Sequence, residues 1–549
     1  MDFPGQEPRL DAGNKHHDHY AQRLPQWRNA LRQRLLPIVR RETHYLALLQ
    51  DKMRSPALDS YFAYTANLGT HTFFMVFLPI QFWCGYTSLG RATVFMLAAG
   101  IYWSGFLKDM LCLPRPQSPP LARISMSGSA ALEYGFPSSH STNAVSITFY
   151  VIHTIRQSPD QHDPYVYIGL QAAFYFYALS IIFGRLYCGM HGFLDVVVGS
   201  TLGALITVFQ LACGEWMNSR IFSGSYVDIV IATLIIFVLV RIHPEPADDC
   251  PCFDDSVAFS GVLVGINLGG WHFAQTRFAV NDPIPSTVPF DLQEIGIVKA
   301  VVRVVLGVVM IFVWRATMKK TLFRILPPFF RLLERARLNL PRAFFLSASK
   351  YTSIPPLRDD DNVIPPISEL PHMLRNLTHP RKRAVSFGPQ SAADAYETLA
   401  YRNRKRAESI TSHDGTMPEG ITWSPSPRSP ALEKGEQHLG ANVLPTPMTS
   451  RVHSYEQIMG TENVQPQNTT STPPDSDSDV ADKAIDFMQS SEEAANEKRE
   501  IFMKLTKPRV RYDVEVVTKL IVYSGIGWIA VEAAPVVFEL VGLGMGRSP

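Results

Sequence analysis

Three short polar clusters interrupt the apolar part of this chain: Lys108-Asp-Met-Leu-Cys-Leu-Pro-Arg115-Pro116, then Pro137-Ser138-Ser139-His140, then Arg185-Leu-Tyr-Cys-Gly-Met-His191-Gly-Phe-Leu-Asp195. Each lies at or near the end of a segment apolar enough to cross a bilayer, where charge is costly and should converge on something charged. Lys108, Arg115 and Arg185 suit a phosphate. His140 and His191 suit phosphoryl transfer, and His191 with Asp195 four residues on suits an activated nucleophile. Pro114 and Pro116 stop a helix and fix Arg115 in an extended turn, so that Lys108 and Arg115 can address one anion. Pro137 does the same ahead of Ser138 and Ser139. Their hydroxyls, with the first N–H groups of the next helix, form a phosphate cradle, and His140 falls in its first turn. On a helix His191 and Asp195 share a face, and the carboxylate can hold the imidazole with its other nitrogen toward phosphorus. Any one of these residues alone could be a snorkelling or capping side chain. A metal or heme at the two histidines conflicts with the cations around them.

The elements that position these clusters follow from apolar runs near 66–86, 91–108, 141–156, 165–184, 192–213, 226–242, 256–274, 297–315 and 517–543. They predict an all-α, polytopic membrane bundle of eight or nine spans, the seventh in doubt because of Asn267 and Gly269-Gly270. Gly199, Gly203 and Ala204 allow close helix contact. The expected organisation is a basic N-terminal segment (1–60), a core carrying the three clusters (61–215), further spans (216–318), a basic interfacial segment (319–349), a disordered insert (350–510) and a last span with its tail (511–549). Arg32, Arg34, Arg40 and Arg41 interleave with Leu35, Leu36, Ile38 and Val39, which predicts an amphipathic interfacial helix. The insert is too polar to offset its ordering entropy. Within it Arg381-Lys-Arg-Ala-Val-Ser386 has the form of a kinase site, where an added phosphate would alter membrane attraction. A net charge of +2 gives no argument for nucleic acid and leaves membrane lipids as the expected surroundings. Six cysteines without regular spacing predict no disulfide framework, and Cys250-Pro-Cys252 is a weak metal signal.

The clusters resemble the three-part signature of the type-2 phosphatidic-acid phosphatase superfamily: Lys-x6-Arg-Pro, Pro-Ser-x-His and Arg-x5-His-x3-Asp. Lys108-Asp109 with Pro114-Arg115-Pro116-x-Ser118-Pro119-Pro120, Glu133-Tyr134 and Gly189-Met190-His191 resemble its sphingosine-1-phosphate phosphatase branch, in particular the fungal long-chain-base phosphate phosphatases. The likeness covers roughly residues 60–315. It departs at Ser139, where Gly is usual, and at Gly184, where Ser usually precedes the Arg. The resemblance implies metal-independent hydrolysis of a lipid phosphate, without a cofactor. His191 is then the nucleophile, Asp195 orients it and His140 protonates the leaving alkoxide. Lys108, Arg115, Arg185, Ser138 and Ser139 hold the phosphate. Phosphatidate or a polyprenyl diphosphate is the alternative substrate, and a non-catalytic lipid binder or transporter the alternative of another class. Sphingoid phosphates carry an ammonium, for which Asp109 and Glu133 are the candidate partners.

Charge bias and resemblance disagree about the side of the membrane. The Arg-rich N-terminal segment and residues 319–343 would put the clusters in the cytosol. The resemblance implies a site in the lumen of the endoplasmic reticulum, and that placement is the expectation adopted. An engineered sequon in the 117–133 loop is then expected to be glycosylated. The insert sequons Asn376-Leu-Thr378 and Asn468-Thr-Thr470 are not, on the expectation that the insert is cytosolic.

Overall fold

Long apolar runs that satisfy their own backbone polar groups in lipid must be helices, and helices are what the chain builds. The computed structural model describes residues 12–65, 71–118, 120–124, 132–157, 163–222, 224–280, 284–338, 342–354, 399 and 510–545. Most of the expected insert lies outside the described residues, and with it Ser386 and the sequons at Asn376 and Asn468.

The chain opens with α1 (His17–Arg23), α2 (Gln26–Met53) and α3 (Pro56–Thr65). The bundle is α4 (His71–Trp83), α5 (Thr87–Leu111), α6 (Ser139–Gln157), α7 (Pro164–Tyr187), α8 (Phe193–Phe222), α9 (Tyr226–Ile242) and α10 (Cys252–Ala274). A short α11 (Leu292–Ile295) leads into α12 (Ile297–Arg335). The last span is α13 (Val514–Trp528), a π turn at Ile529–Ala533 and α14 (Ala534–Leu540). Among the described residues the sheet is one parallel pair, β1 (Phe345–Leu346) on β2 (Arg511–Tyr512), which ties the two ends of the insert together.

All nine expected spans are helices, but six are long and apolar enough to cross a membrane: α5, α7, α8, α10, α12 and the continuous 514–540 segment. The measure is one of length and composition, taken over the described residues. α4 (13 residues) and α9 (17) are short. The 19-residue α6 buries Ser141, Thr142, Asn143, Ser146 and Thr148 in the bundle instead of showing an apolar surface to lipid. α7 and α12 face outward, exposing Ile168, Phe176, Leu179, Val298, Val301 and Val305. Such apolar faces on helices of spanning length make this a multi-pass membrane protein.

Close approach sets the packing. A Cβ on Gly199 of α8 would lie 2.6 Å from the carbonyl oxygen of Ser138, so only glycine lets α8 meet the start of α6. The doubted seventh run is unbroken as α10, because Gly265 lets it press against the backbone of Ser524 on α13. The largest apolar core joins Phe82 and Trp83 of α4, Leu97 of α5, Phe259 and Ile266 of α10 and Ile526 of α13. α12 also runs further than its apolar composition suggests. Leu322 and Leu326 join this core, so the expected interfacial stretch begins as a continuation of the helix to Arg335.

One end of the bundle gathers the carboxyl ends of α5, α7 and α9 with the amino ends of α6, α8 and α10. Arg342 donates to the carbonyls of His243 (3.3 Å) and Pro244 (3.3 Å), and Arg511 donates to that of Cys250 (3.0 Å). The two flanks of the insert therefore pack on the same end as the three clusters.

Candidate active site

The first cluster is built by the end of α5. Lys108 sits in its last turn, Cys112 takes a left-handed conformation (φ 52°) and the chain leaves in extended form through Leu113 and Arg115. α2 holds this exit from outside. Arg28 donates to the carbonyls of Asp109 (2.6 Å) and Met110 (2.8 Å), and Arg32 to that of Cys112 (3.2 Å). These are the orphan carbonyls of a helix end, and a guanidinium there also suits the helix dipole. α2 is thus a clamp on the site, and it also exposes Trp27, Ile38, Tyr45 and Leu48 on its outer side. Its Gln50 donates to the carbonyls of Ala122 (2.9 Å) and Tyr187 (2.8 Å), joining the first loop to the third cluster.

The segment Glu133-Tyr134-Gly135 lies beside this exit. Gly135 N–H donates to Leu113 O (3.0 Å) and Arg115 Nε to Glu133 O (3.2 Å). Tyr134 donates its hydroxyl to Asp248 Oδ2 (3.1 Å), where Tyr20 (2.8 Å) and the N–H of Gly13 (3.0 Å) also donate. The second cluster then opens α6. Ser138 Oγ accepts from Ser141 N–H (3.3 Å) and Ser141 Oγ (3.0 Å), so it is the cap of the helix. Ser139 Oγ accepts from Ser104 Oγ (2.9 Å), and His140 follows, half-buried.

In the third cluster Gly189, at φ 62°, folds the chain back so that the N–H groups of Met190 (3.2 Å) and His191 (3.4 Å) close on Arg185 O. His191 lies just ahead of α8 and Asp195 in its first turn, so the expected pair on one helix is corrected to a pair across the helix start. They remain neighbours, with Nδ1 3.7 Å from Asp195 Oδ2. That oxygen accepts from Gly192 N–H (2.8 Å), and Asp195 Oδ1 is buried without a hydrogen-bond partner among the described residues. The hydrogen bond of Nδ1 runs instead to Gly135 O (2.8 Å). A carbonyl can only accept, so Nδ1 carries the proton and Nε2 keeps its lone pair. Arg115 Nη1 lies 3.4 Å from Nε2 while donating to Met190 O (2.8 Å). Burial, then Arg115, Arg185, Lys108 and His140, hold His191 well below the ordinary histidine value. The base of α8 is completed by Glu42 of α2, whose Oε1 accepts from Leu194 N–H (2.9 Å).

Around Nε2 stand the cations. Lys108 Nζ (3.3 Å) and Arg115 Nη2 (3.2 Å) both contact Glu133 Oε2. Burial draws Arg115 down to about 10, with Glu133 opposing and Arg185 and Arg123 adding to it. Arg185 Nε is buried without a hydrogen-bond partner among the described residues. A buried, unsatisfied guanidinium edge beside a lone-pair nitrogen suits an anion held for nucleophilic attack.

Residues 89–218, which hold all three clusters, match the PAP2 superfamily. Over 311 residues, 56% of this chain and 74% of the relative, the chain is 41% identical to a dihydrosphingosine 1-phosphate phosphatase of Schizosaccharomyces pombe. The chain belongs to the PAP2 superfamily. Further relatives of this PAP2 chain include a dihydrosphingosine 1-phosphate phosphatase of Saccharomyces cerevisiae, 34% identical over 57% of this chain and 75% of that one. The human sphingosine-1-phosphate phosphatase 2 is 28% identical over 53% and 73%. No solved structure matches the chain.

The PAP2 fold brings Lys108, Arg115, Glu133, Arg185, His191 and Asp195 together, with Ser138, Ser139 and His140 at the mouth of α6. Asp109 is not among them. Its carboxylate is fully buried 3.7 Å from His243 Nδ1 and beside Cys250 and Cys252, because consecutive helix positions point in different directions. Its expected contact with a head group is corrected. The sulfurs of Cys250 and Cys252 meet as one local pair, and Cys84, Cys112, Cys188 and Cys213 are free, so no disulfide framework is built. Sequence reasoning missed Gly135, whose backbone oxygen leaves no trace in residue type. It also missed Glu42, Arg28, Arg32, Gln50 and Arg123. The interleaved charges of α2 were a signal, assigned to the membrane surface rather than to the site.

Proposed function

We propose that the protein hydrolyses sphingoid long-chain-base 1-phosphates to the free base and phosphate. The observation that carries the reading is His191, with Nδ1–H committed to Gly135 O and a lone pair on Nε2 among Lys108, Arg115 and Arg185. Binding alone would need only the cations. Nε2 attacks phosphorus as the bond to the lipid oxygen breaks, and His140 gives that oxygen its proton. Positive charge that develops on the imidazole is stabilised by Asp195 beside Nδ1. Water, deprotonated by His140, then cleaves the P–N bond and releases phosphate. Lys108, Arg115 and Arg185 hold the equatorial oxygens and take up their charge in the transition state. Ser138 and Ser139 shape the amino end of α6, whose N–H groups face the same anion. The named activities of the relatives support the sphingoid class.

The site faces the lumen of the endoplasmic reticulum in this reading. Arg28 and Arg32, spent on backbone carbonyls, count less toward charge bias than free surface cations. The described flanks of the insert share this face.

The test is phosphate release from dihydrosphingosine, phytosphingosine and sphingosine 1-phosphates, phosphatidate and a polyprenyl diphosphate by purified protein in detergent with EDTA. Turnover of the sphingoid phosphates above the others supports the reading. Release from none of them overturns it.

A further inference from the structure

The anion between Lys108 and Arg115 is the protein's own. Glu133 Oε2 lies 3.3 Å from Lys108 Nζ and 3.2 Å from Arg115 Nη2, and Arg115 Nη1 stands 3.4 Å from His191 Nε2. A carboxylate oxygen therefore lies between the two cations that a substrate phosphate needs. A phosphate dianion and this carboxylate cannot share them, because like charges at contact distance repel strongly where water is scarce.

We infer that Glu133 is an exchangeable placeholder that determines specificity: substrate phosphate expels its carboxylate from Lys108 and Arg115, and the freed carboxylate pairs with the substrate's ammonium. This rests on the phosphatase reading above and adds the group that selects the lipid. The geometry allows the exchange. The side chain of Glu133 is 28% exposed, against 7% for Lys108 and 5% for Arg115, so the carboxylate stands at the rim while the cations are fixed below it. Its backbone stays in place, because Glu133 O accepts from Arg115 Nε and the next residue, Tyr134, is tied to Asp248. Only the side chain has to turn.

In a sphingoid 1-phosphate the amine sits on the carbon next to the one that bears the ester oxygen. An ammonium so close to the phosphate arrives at the carboxylate the phosphate has displaced. The charges then balance in both states: Glu133 with Lys108 and Arg115 when the site is free, phosphate with the cations and ammonium with Glu133 when it is loaded. A lipid phosphate without an amine leaves Glu133 displaced and unpaired near a dianion, and is penalised. After the free base departs, the carboxylate returns to the cations and helps to expel inorganic phosphate.

The experiment compares wild type, Glu133→Gln and Glu133→Asp on dihydrosphingosine 1-phosphate and on its N-acetylated analogue, which has the same chain and no ammonium. Orthovanadate inhibition is measured alongside, and size-exclusion elution reports folding. In Glu133→Gln the ratio of kcat/KM for the amine over the analogue is expected to fall about tenfold, and vanadate to inhibit about tenfold more tightly. Glu133→Asp keeps part of the selectivity. An unchanged ratio with unchanged vanadate inhibition overturns the placeholder, as does an equal loss on both substrates with vanadate unchanged, since that is what a structural residue would give. Wild type that hydrolyses neither substrate overturns the phosphatase reading instead, and so separates the two failures.

Discussion

His191 Nδ1 lies 2.8 Å from the carbonyl oxygen of Gly135, and Asp195, four residues away in sequence, stays 3.7 Å off. The tautomer is set by a backbone carbonyl and the charge of the imidazolium by a carboxylate. The two roles are divided between two segments.

That division makes Asp195 less essential than the nucleophile. Asp195→Asn leaves Nδ1–H on Gly135 O, so kcat is expected to fall about 10- to 100-fold. His191→Ala should fall by about 10⁴-fold or more, with the protein still folded and inserted. Steady-state kinetics on the two variants decide it. Equal losses would mean that the carboxylate, and not the carbonyl, fixes the ring.

The acid limb of activity follows from the same ring. Burial, with Arg115 next, holds His191 below its usual value, so Nε2 remains unprotonated through neutral and mildly acidic pH. The acid limb of kcat/KM should therefore lie at lower pH than an ordinary histidine would give. Arg115→Gln removes a neighbouring cation, favours the protonated ring and should move that limb upward, whatever it does to the absolute rate. A pH profile of both proteins tests it. A limb that moves downward would contradict the assignment.

Arg28 acts at a distance from the chemistry. Its two bonds to the last carbonyls of α5 place Lys108 and the turn to Arg115. Arg28→Ala is expected to cost about 2 kcal/mol of stability, seen as a lower Tm in detergent, and to reduce kcat without altering the selectivity between lipid phosphates. Unchanged Tm and rate would return α2 to the membrane surface.

The helices were legible because lipid leaves the chain few alternatives, and each of the nine apolar runs became one. The three clusters were legible because Lys108, Arg115, Arg185, His140 and His191 are costly where they stand. What could not be read were relationships made by backbone or by distant segments. Gly135 offers only a carbonyl, Asp109 and Lys108 differ by one helix position yet face different surroundings, and the charges of α2 look the same whether they meet lipid or carbonyls. The seventh run was doubted because Gly269-Gly270 weakened it, whereas Gly265 packs it tightly against α13.

The position of the two insert flanks bears on the expected glycosylation. With the site and both described flanks of the insert at one end of the bundle, an engineered sequon in the 117–133 loop and the native sequons at Asn376 and Asn468 are expected to share a side. In the lumenal reading all three should give an endoglycosidase-sensitive mobility shift. Modification of the loop alone would contradict the common face, and modification of none would place the site in the cytosol.

The most direct measurement is rapid quenching of the protein during turnover of dihydrosphingosine 1-phosphate, followed by alkaline peptide mapping for phosphohistidine. The phosphoryl group is expected on His191, bonded at Nε2, and absent from His191→Ala. A phosphoryl group on His140, or bonded at Nδ1 of His191, would contradict the account.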